Sequence, residues 1–591
     1  MSLNLELSLL PLSLTLMTKN DVAAILEEIG NLLELKGENP FKSRAYFNGA
    51  RTLQTLAEDL GVLVREKRLG ELPGIGDALQ QKITLLVETG SLPFYDELKA
   101  SFPAAILELL DIPGLGPKKL KVLYAELLID NVDALEAACL DGRIAGLTGM
   151  GEKTAANILA GIMQRKKYAG LHRYGEIIEQ AQDLLDWLRG HPDILRLSLA
   201  GSIRRAKEIV KDIDLIGSSA DPAAVMADFI LHPEIERVLS HGSSKSSVLF
   251  KGGVQCDLRL VADADFAYAL HHFTGSKEHN VALRQRAISL GYKLSEYGLV
   301  AESAGAPTLT CRTEAEIFRA LDLEDIAPEL RENLGELEAA EKGLLPRLIE
   351  WSDLKGCFHN HTTASDGKNT LRQMAEAAAS IGLDYFGISD HSKSSVHVNG
   401  LSEEQLLQQV AEIRLLNKEL DDIHVFAGVE CDILKDGSLD YEDAILAQLD
   451  YVVASVHSSF NLSEGEMTKR ICRAMENPHV TMLGHLSGRL LLLRNAYALN
   501  IPDVLKVAAE TGTWIELNCS TYRFDMDWRW WHQARDLGVK CVINPDAHSV
   551  QQIGNIKLGA QIARKGWLRK QDVVNCLDLD AIKNALKKPK L

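Results

Sequence analysis

The feature that most constrains this chain is a repeated pattern over residues 356–591. Short apolar runs rich in β-branched residues end in a histidine, an acid or an amide. The runs are GCFHNH, LDYFGISDH, HVFAGVE, LDYVVASVH, VTMLGH, TWIELN and KCVINPDAH, with amphipathic helical segments between them. Repeated strand–helix units of this kind predict a distorted (β/α)7 barrel, in which the carboxyl ends of the strands meet at one rim.

The polar residues at or near the ends of these runs have the chemistry of metal ligands. They are His359, His361, Asp366, His391, Glu430, His457, His485, Asp546 and His548. One histidine on an apolar strand is more often a core residue than a ligand, but so many on one rim predict a polynuclear metal site. Mixed imidazole and carboxylate ligands favour a cluster of up to three Mn²⁺, Zn²⁺ or Fe²⁺ ions. Arg489, in LGHLSGR, is expected either to hold a substrate phosphate or to be a structural arginine on the surface.

A second group of acids lies upstream, on two strand-like runs. Asp212 and Asp214 in KDIDLIG are two residues apart, so both carboxylates face one side of a strand, and VQCDLRLV adds Asp257. A lone D-x-D would more often be a solvated pair on an edge strand. Here Ser202 and Arg205 precede it in GSIRRAKEIV and can hold the phosphates of a nucleotide. The arrangement predicts a nucleotidyltransferase with two Mg²⁺ or Mn²⁺ ions.

A third pattern recurs within the first 170 residues. LPGIGDALQQKI, IPGLGPKKLKVL and LTGMGEKTAANIL each place a glycine pair between two helical patterns: Gly74 and Gly76, Gly114 and Gly116, Gly149 and Gly151. Such glycines permit a tight turn with positive φ, and the N-terminus of the following helix can bind a backbone phosphate. The pattern resembles the helix-hairpin-helix motif, and because it reads no base, we expect sequence-independent DNA contact by at least two of the copies. A mainly structural role stays open for the third copy, which carries Glu152.

Composition limits the class of protein further. A chain of 591 residues with 46% hydrophobic and 25% charged residues is typical of a soluble protein with several domains, and no run approaches the length of a membrane span. The 9 cysteines form no C-x-x-C pair and indicate reduced thiols in a cytosolic protein. The net charge of −18 argues against a chain-wide nucleic-acid surface but allows local basic patches. Residues 1–17 lack the features of a signal peptide, and we expect a disordered extension there.

On these residues the chain resembles a bacterial-type family X DNA polymerase, of the DNA polymerase beta family, with a C-terminal polymerase-and-histidinol-phosphatase (PHP) domain. The polymerase resemblance rests on GSIRRAKEIVKDIDLIG, VQCDLRLV and HHFTGSKEHNVALRQRA, and the PHP resemblance on the H-x-H, S-D-H and D-A-H groups. It implies a helical helix-hairpin-helix N-terminal region, a beta-type nucleotidyltransferase palm and thumb, and a PHP barrel. The implied domains are an 8-kDa-like 5′-phosphate-binding domain at 18–90, fingers at 91–170, the palm at 171–265, the thumb at 266–345, a linker at 346–355 and the barrel at 356–591.

The resemblance also implies roles for single residues. Asp212, Asp214 and Asp257 become catalytic metal ligands, Ser202 and Arg205 contact the triphosphate, Phe273, Gly275 and Asn280 line the nucleotide pocket, and Arg284 lies near the template. Lys82 matches the Schiff-base lysine of the family's deoxyribose-phosphate lyases, with Lys42 and Tyr46 as neighbours of the DNA 5′-phosphate. Lys82 as a helix-face lysine near DNA stays an equal alternative. His272 and Gln255 depart from the family's usual tyrosine and basic residue, and we expect activity with altered fidelity.

The leading interpretation is a monomeric, cytoplasmic, nucleoid-associated bacterial enzyme of DNA repair. It would bind gapped or nicked DNA with a 5′-phosphate, fill the gap from deoxynucleoside triphosphates, and shorten 3′ ends with a 3′–5′ exonuclease in the PHP domain. Lyase and abasic endonuclease activities are further expectations. Two alternatives stay open: a PHP phosphomonoesterase acting on small molecules beside a non-catalytic DNA-binding scaffold, and a wholly non-catalytic DNA-end-binding scaffold.

Overall fold

The computed structural model describes residues 17, 19–54, 56, 59–103, 105–110, 112, 115–302 and 309–587. The expected extension at 1–17 lies outside the described residues except for Met17, and so does Gly114. The described chain divides into two compact units, one ending at Ala169 and the other beginning at Gly170. The finer domain boundaries given above stay predictions.

The N-terminal unit is helical. Its helices are α1 Lys19–Lys36, α2 Pro40–Gln54, α3 Leu60–Arg65, α4 Asp77–Thr89, α5 Pro93–Ala100, α6 Ile106–Leu110, α7 Pro117–Leu127, α8 Val132–Leu140 and α9 Glu152–Tyr168. Apolar residues at helical spacing build separate cores in its two halves, one around Leu26 and Ile83 and another around Leu123 and Ile158.

The second unit begins with a mixed sheet. Its elements are β1 His172–Arg173, α10 Tyr174–Arg189, β2 Ile194–Leu199, α11 Gly201–Arg204, β3 Ile209–Val210, β4 Asp212–Ser219, α12 Pro222–Phe229, β5 Ile235–His241, β6 Lys245–Phe250 and β7 Gln255–Val261. The main sheet has the strand order β2-β4-β7-β6-β5, in which β4 and β7 are parallel and the other neighbours antiparallel. The two strands that carry the predicted carboxylates are therefore direct neighbours.

A small helical subdomain follows this sheet. It contains α13 Phe266–Thr274, α14 Lys277–Ser289, β8 Tyr292–Ser295, β9 Gly298–Ala301, α15 Glu314–Ala320 and α16 Glu336–Glu341 around a core that includes Leu283 and Phe318. Arg331 is buried and pairs with Glu314, which satisfies two charges that would be costly alone in this core.

The last part of the chain is the predicted barrel. Its elements are β10 Gly356–Cys357, α17 Leu371–Ser380, β11 Tyr385–Ile388, α18 Glu403–Leu416, β12 His424–Asp432, α19 Asp443–Leu446, β13 Tyr451–Ser455, α20 Glu464–Met475, β14 Met482–Leu483, α21 Ile501–Thr511, β15 Trp514–Asn518, α22 Trp531–Asp536, β16 Cys541–Asn544, α23 Ile556–Lys565 and α24 Leu579–Leu586. Several outer helices begin with a capping box, as at Ser402 with Gln405 and Ser463 with Glu466. These boxes fix the helix starts after the strand ends.

The strands β10 to β16 form a parallel sheet in sequence order, with 7 strands within the described residues. Its two edges meet just beyond β10 and β16, where the His361 amide donates to the Ala547 carbonyl at 2.9 Å. The expected (β/α)7 barrel is confirmed as a nearly closed one. Among the described helices of the whole chain, none has both the length and the apolar character needed to cross a membrane.

The barrel and the mixed sheet share one continuous apolar core. Tyr174 and Leu184 of α10 belong to the same cluster of buried residues as Phe524 and Trp531 of the barrel. The rings of Tyr174 and Phe524 lie 6.4 Å apart. The predicted linker 346–355 packs against the barrel too, since the buried Ile349 donates its amide to the Leu568 carbonyl at 3.0 Å.

Candidate active sites

The carboxyl ends of the barrel strands bring all the predicted ligands together. Ligand atoms within 4.8 Å of one another occur in the groups His361–Asp366–His391–His548, His359–His485–Asp546, His359–His361–Glu430 and His391–Glu430–His457. The groups overlap in shared residues, so they form one cluster and not separate sites. This is the geometry that a polynuclear metal centre requires.

Glu430 lies at the centre of the cluster. Its carboxylate is 3.3 Å from Nε2 of His359, 2.9 Å from Nδ1 of His391, 3.1 Å from Nε2 of His457 and 2.9 Å from Nε2 of His485. Burial alone would raise the pKa of Glu430, but the surrounding histidines, His457 foremost, hold that pKa well below its ordinary value. The carboxylate is therefore in the form that binds a metal ion.

The residues present fit a metal cluster. Within the described residues, both ring nitrogens of His361 are buried without a hydrogen-bond partner. Nε2 of His359 and Nδ1 of His391 are buried too, and they lie close to the Glu430 carboxylate without hydrogen-bond geometry. Buried polar atoms of this kind are costly unless something binds them. The imidazole and carboxylate donors suit Mn²⁺, Zn²⁺ or Fe²⁺.

Two acids that the sequence analysis missed orient the ligand histidines. Glu516 accepts a hydrogen bond from Nδ1 of His359 at 2.7 Å, and Asp432 pairs with Nδ1 of His457. Such contacts fix the ring nitrogen that faces the metal. The available signal was their position in the apolar runs TWIELN and HVFAGVECD, where an acid needs a partner.

The cationic residues near the rim have different roles. Nε of Arg523 lies 3.5 Å from a carboxylate oxygen of Asp546, so a positive charge stands beside the cluster. Arg489, by contrast, is only partly exposed and donates to Glu208 at 2.6 Å and to Asp527 at 2.8 Å. Of the two alternatives for Arg489, the structure places it in the structural one, because its donors face protein acceptors.

The second site lies on the mixed sheet. Asp214 of β4 pairs in register with Asp257 of β7, and Asp212 precedes it on the same face. All three carboxylates are half-buried, whereas Ile213 between the first two is fully buried. Three clustered carboxylates at this exposure can bind two divalent cations.

Burial and the mutual repulsion of the carboxylates shift the pKa values in this cluster. Burial, with Asp212 and Asp257 nearby, raises the pKa of Asp214 to about 7. Burial and Asp257 also raise the pKa of Asp212. Burial opposes ionisation of Asp257 as well, but Gln255, which donates to it at 2.9 Å, Ser247 and Lys245 hold its pKa below the ordinary value. A divalent cation would relieve the repulsion.

A glycine makes room for this arrangement. Gly201 has φ of +59°, and a Cβ there would stand 2.0 Å from a carboxylate oxygen of Asp214. The glycine of the G-S motif thus permits both the positive φ at the start of α11 and the close approach of the Asp214 carboxylate.

The predicted nucleotide-binding residues fall into two groups. Ser202 and Arg205 lie on and after α11, where the Arg205 guanidinium donates to Glu332 at 3.0 Å and to the Thr274 carbonyl at 2.7 Å. The others lie at the α13–α14 corner: Phe273 under Arg259, Gly275 and Asn280 in contact, and Arg284 exposed. The Asn280 side chain donates to the His272 carbonyl at 2.7 Å and its oxygen is buried without a partner among the described residues.

The predicted glycine turns occupy the expected positions in the N-terminal unit. Gly76, Gly116 and Gly151 immediately precede α4, α7 and α9, and Gly74 and Gly149 have φ of +79° and +81°. Among the described residues, no side chain caps these three helices, and a Cβ at Gly76, Gly116 or Gly151 would meet nothing within 4 Å. The helix N-termini are open to an anion. Gly114 lies outside the described residues.

The predicted 5′-phosphate residues converge on an aromatic pair. Tyr46 stacks on Phe94 with ring centroids 6.3 Å apart. Nζ of Lys82 lies 5.4 Å from the Tyr46 ring and 4.8 Å from the Phe94 ring, and Nζ of Lys42 lies 5.8 Å from the latter. Phe94 was not predicted, because α5 carries no motif that links it to α2 and α4.

Comparisons with known families agree with this geometry. The chain matches a helix-hairpin-helix domain over residues 17–92, a SAM-like helix-hairpin-helix tandem over 106–163, the DNA polymerase beta thumb over 269–332 and the PHP domain over 358–520. The fold and sites therefore define a beta-type nucleotidyltransferase joined to a PHP barrel.

Individual relatives cover different parts of the chain. The DNA polymerase/3′-5′ exonuclease PolX of Bacillus subtilis is 37% identical over 97% of this chain and 100% of its own length. A probable phosphatase of Thermoanaerobacter sp. is 28% identical over 39% of this chain and 94% of its own length. The polymerase beta of Leishmania infantum, solved as a ternary P/T complex, covers 39% of this chain and 98% of its own at 24% identity, with a TM-score of 0.25. The chain belongs to the family X DNA polymerases that carry a PHP domain.

Proposed function

We propose that this protein fills short gaps in damaged DNA and shortens 3′ ends at the same lesions, in repair of the base-excision type. As a member of its family it is a DNA polymerase with a 3′–5′ exonuclease in the PHP domain. The observation that carries the proposal is the presence, in one chain, of the palm carboxylates and the complete barrel cluster.

Polymerisation is assigned to the palm. Asp212, Asp214 and Asp257 would hold two Mg²⁺ or Mn²⁺ ions, which when bound activate the primer 3′-hydroxyl and neutralise the triphosphate. The residues of the chain bind and orient the substrates. Ser202 and Arg205 would hold the triphosphate, Phe273, Gly275 and Asn280 would line the pocket of the incoming nucleotide, and Arg284 would lie near the template.

Exonuclease activity is assigned to the barrel. The clustered histidines and acids would hold up to three Mn²⁺, Zn²⁺ or Fe²⁺ ions, which when bound supply a hydroxide and neutralise the phosphodiester. Glu516 and Asp432 orient His359 and His457, and Arg523 adds positive charge beside Asp546. Abasic endonuclease activity would use the same cluster.

The glycine turns and the lysine–aromatic group are proposed to hold the DNA. Backbone phosphates would bind at the N-termini of α4, α7 and α9, without reading sequence. Lys42 and Tyr46 would receive the 5′-phosphate on the far side of a gap. The enzyme is proposed to act as a monomer in the bacterial cytoplasm, at the nucleoid, and the free cysteines of the described chain agree with that compartment.

The deciding experiment uses a duplex with a 5′-phosphorylated one-nucleotide gap and Mn²⁺, with and without deoxynucleotides. Asp212→Ala/Asp214→Ala should lose extension alone, and His359→Ala/His361→Ala should lose 3′ shortening alone. If the wild type does neither but hydrolyses histidinol phosphate, the protein is a small-molecule phosphatase. If it binds gapped DNA and turns over nothing, it is a non-catalytic scaffold.

Lyase activity has a separate test. The Lys82 amine would condense with the sugar aldehyde of a 5′-deoxyribose-phosphate flap and release water. Borohydride should then trap a covalent adduct in the wild type and in Lys99→Ala, but not in Lys82→Ala. No adduct in the wild type would show that Lys82 is a DNA-facing helix lysine without this chemistry.

A further inference from the structure

The barrel holds the nucleotide-binding loop of the palm. This loop, residues 201–208, carries Ser202 and Arg205 and lies against residues more than 280 positions later in the chain. Side chains of the barrel contact this loop at Arg205 and at its last residue, Glu208. A domain with its own chemistry therefore touches the loop on which nucleotide binding depends.

Lys565 makes the first contact. It is the last residue of α23 and is fully buried. Its ammonium donates to the Arg205 carbonyl at 3.0 Å, to the Glu332 carboxylate at 2.6 Å and to the Glu329 carbonyl at 3.3 Å. An ammonium has three N–H donors, so these contacts use all of them. One barrel lysine joins the palm loop to the thumb.

Glu332 is shared between two cations. The same carboxylate oxygen, Oε1, accepts from Nε of Arg205 at 3.0 Å and from Nζ of Lys565 at 2.6 Å. Burial would raise the pKa of Glu332, but Lys565 and Arg205 hold it below its ordinary value, so the residue is a carboxylate. Burial lowers the pKa of Lys565 to about 8, although Glu332 opposes this shift. Below that pH the trio carries a net charge of one positive unit, because two cations face a single anion, so the kinetic comparison belongs at a pH below 8.

The second contact fixes the end of the loop. Glu208 is buried and accepts from Arg489 at 2.6 Å and from the Trp528 indole at 3.2 Å. The Trp528 ring also lies 4.5 Å from Nζ of Lys565. The two contacts belong to one connected group of barrel side chains.

We propose that Lys565, supplied by the PHP domain, is a positioning residue of the polymerase site. It compensates the negative charge of Glu332, so that the positive charge of Arg205 stays available to the triphosphate. The proposal rests on the triphosphate role proposed for Arg205. Without Lys565, Glu332 and Arg205 would form a closed neutral pair, and the nucleotide would meet a weaker field. Lys565 does not touch the reacting atoms.

The test measures kcat and KM for the incoming deoxynucleotide on the gapped duplex with the full chain. Lys565→Met should raise KM about ten-fold with little change in kcat, the size of coupling expected between residues in one ionic network. Lys565→Arg should recover part of the loss. Lys557→Met is the matched control, since that lysine lies on the same helix and is exposed.

Charge counting gives the sharper outcome. Glu332→Gln alone leaves two positive units and should lower KM below the wild-type value. The double variant Lys565→Met/Glu332→Gln again has one positive unit, so its KM should return close to that of the wild type. If Lys565 were only structural, the double variant would be at least as impaired as Lys565→Met, and this result would overturn the proposal.

Failures of the two ideas are distinguishable. If Arg205→Met leaves KM unchanged in a wild type that extends primers, the triphosphate role fails and the proposal falls with it. If Arg205→Met raises KM but Lys565→Met does not, only the proposal fails. The 3′-exonuclease rate of each preparation reports whether the barrel is folded. If Lys565→Met does not fold, Glu332→Gln alone tests the proposal, because it is expected to lower KM. A rise of KM in that variant would overturn the proposal.

Discussion

The barrel and the palm both gather acids for metal ions, but they support these acids differently. In the barrel, Glu430 is surrounded by histidines, and the histidines are themselves held by Glu516 and Asp432. In the palm, burial and then the neighbouring carboxylates raise the pKa of Asp212 and Asp214, whereas Gln255, Ser247 and Lys245 hold the pKa of Asp257 below its ordinary value. The fold preorganises the ligands of the barrel site, whereas the palm carboxylates need bound cations to offset their negative charge.

The largest effect should come from the centre of the barrel. Glu430→Gln removes the anion that four histidines face, so exonuclease activity should fall by about 10²–10³-fold, the cost of losing a major electrostatic group in an active site. Extension on the gapped duplex should stay unchanged, because the palm carboxylates are a separate cluster. Rates of both reactions on one substrate give the measurement.

Glu404→Gln is the matched control for this variant, since Glu404 is exposed on α18. An equal loss of extension and exonuclease activity in Glu430→Gln would show that the two sites are not independent.

A smaller effect should follow from the acids behind the ligands. Glu516→Gln weakens the partner of His359, and the Mn²⁺ concentration for half-maximal exonuclease activity should rise about 10–100-fold. Asp432→Asn should act similarly through His457. A lower rate at saturating Mn²⁺ with unchanged Mn²⁺ dependence would argue against an orienting role.

The raised pKa of Asp214, caused by burial and then by the neighbouring carboxylates, predicts a pH dependence of stability. The pKa of Asp214 is raised to about 7, whereas in an unfolded chain it is about 3.9. Between these pH values the folded state keeps a proton that the unfolded state has lost, so stability falls as pH rises and the cost is complete above pH 7. In metal-free protein Asp214→Asn should therefore stabilise the fold at pH 8, by on the order of a few kcal/mol, and hardly at all at pH 4.

Urea unfolding at the two pH values measures this difference. Asp183→Asn, at an exposed position on α10, is the control and should show no such pH dependence. An Asp214→Asn effect of equal size at both pH values would contradict the raised pKa.

The smallest effect should come from a palm partner. Gln255→Ala removes one hydrogen bond to Asp257, and a bond of about 1 kcal/mol would raise the Mg²⁺ requirement for extension only about five-fold. This result is to be compared with that for Glu516→Gln. If Gln255→Ala raises the Mg²⁺ requirement of extension by a larger factor than Glu516→Gln raises the Mn²⁺ requirement of the exonuclease, the palm carboxylates are held by their neighbours at least as firmly as the barrel ligands are.

The sequence predicted those residues that sit at the ends of regular elements. His359, Asp214 and Gly76 were found because a strand end, an alternating strand and a helix start are local patterns. Their partners were missed, since nothing in the local pattern links Glu516 to His359 or Phe94 to Lys82. These pairings depend on how distant elements pack, and only the folded structure shows them.

The shared core between the palm and the barrel has a consequence for modularity. A fragment that ends before the barrel would leave Glu332 and Glu208 without their lysine and arginine and would expose the face of α10 around Tyr174. In this chain a cut near residue 350 would therefore expose apolar surface and unpaired charges on both fragments. We expect each fragment, expressed alone, to be less stable than it is in the full chain.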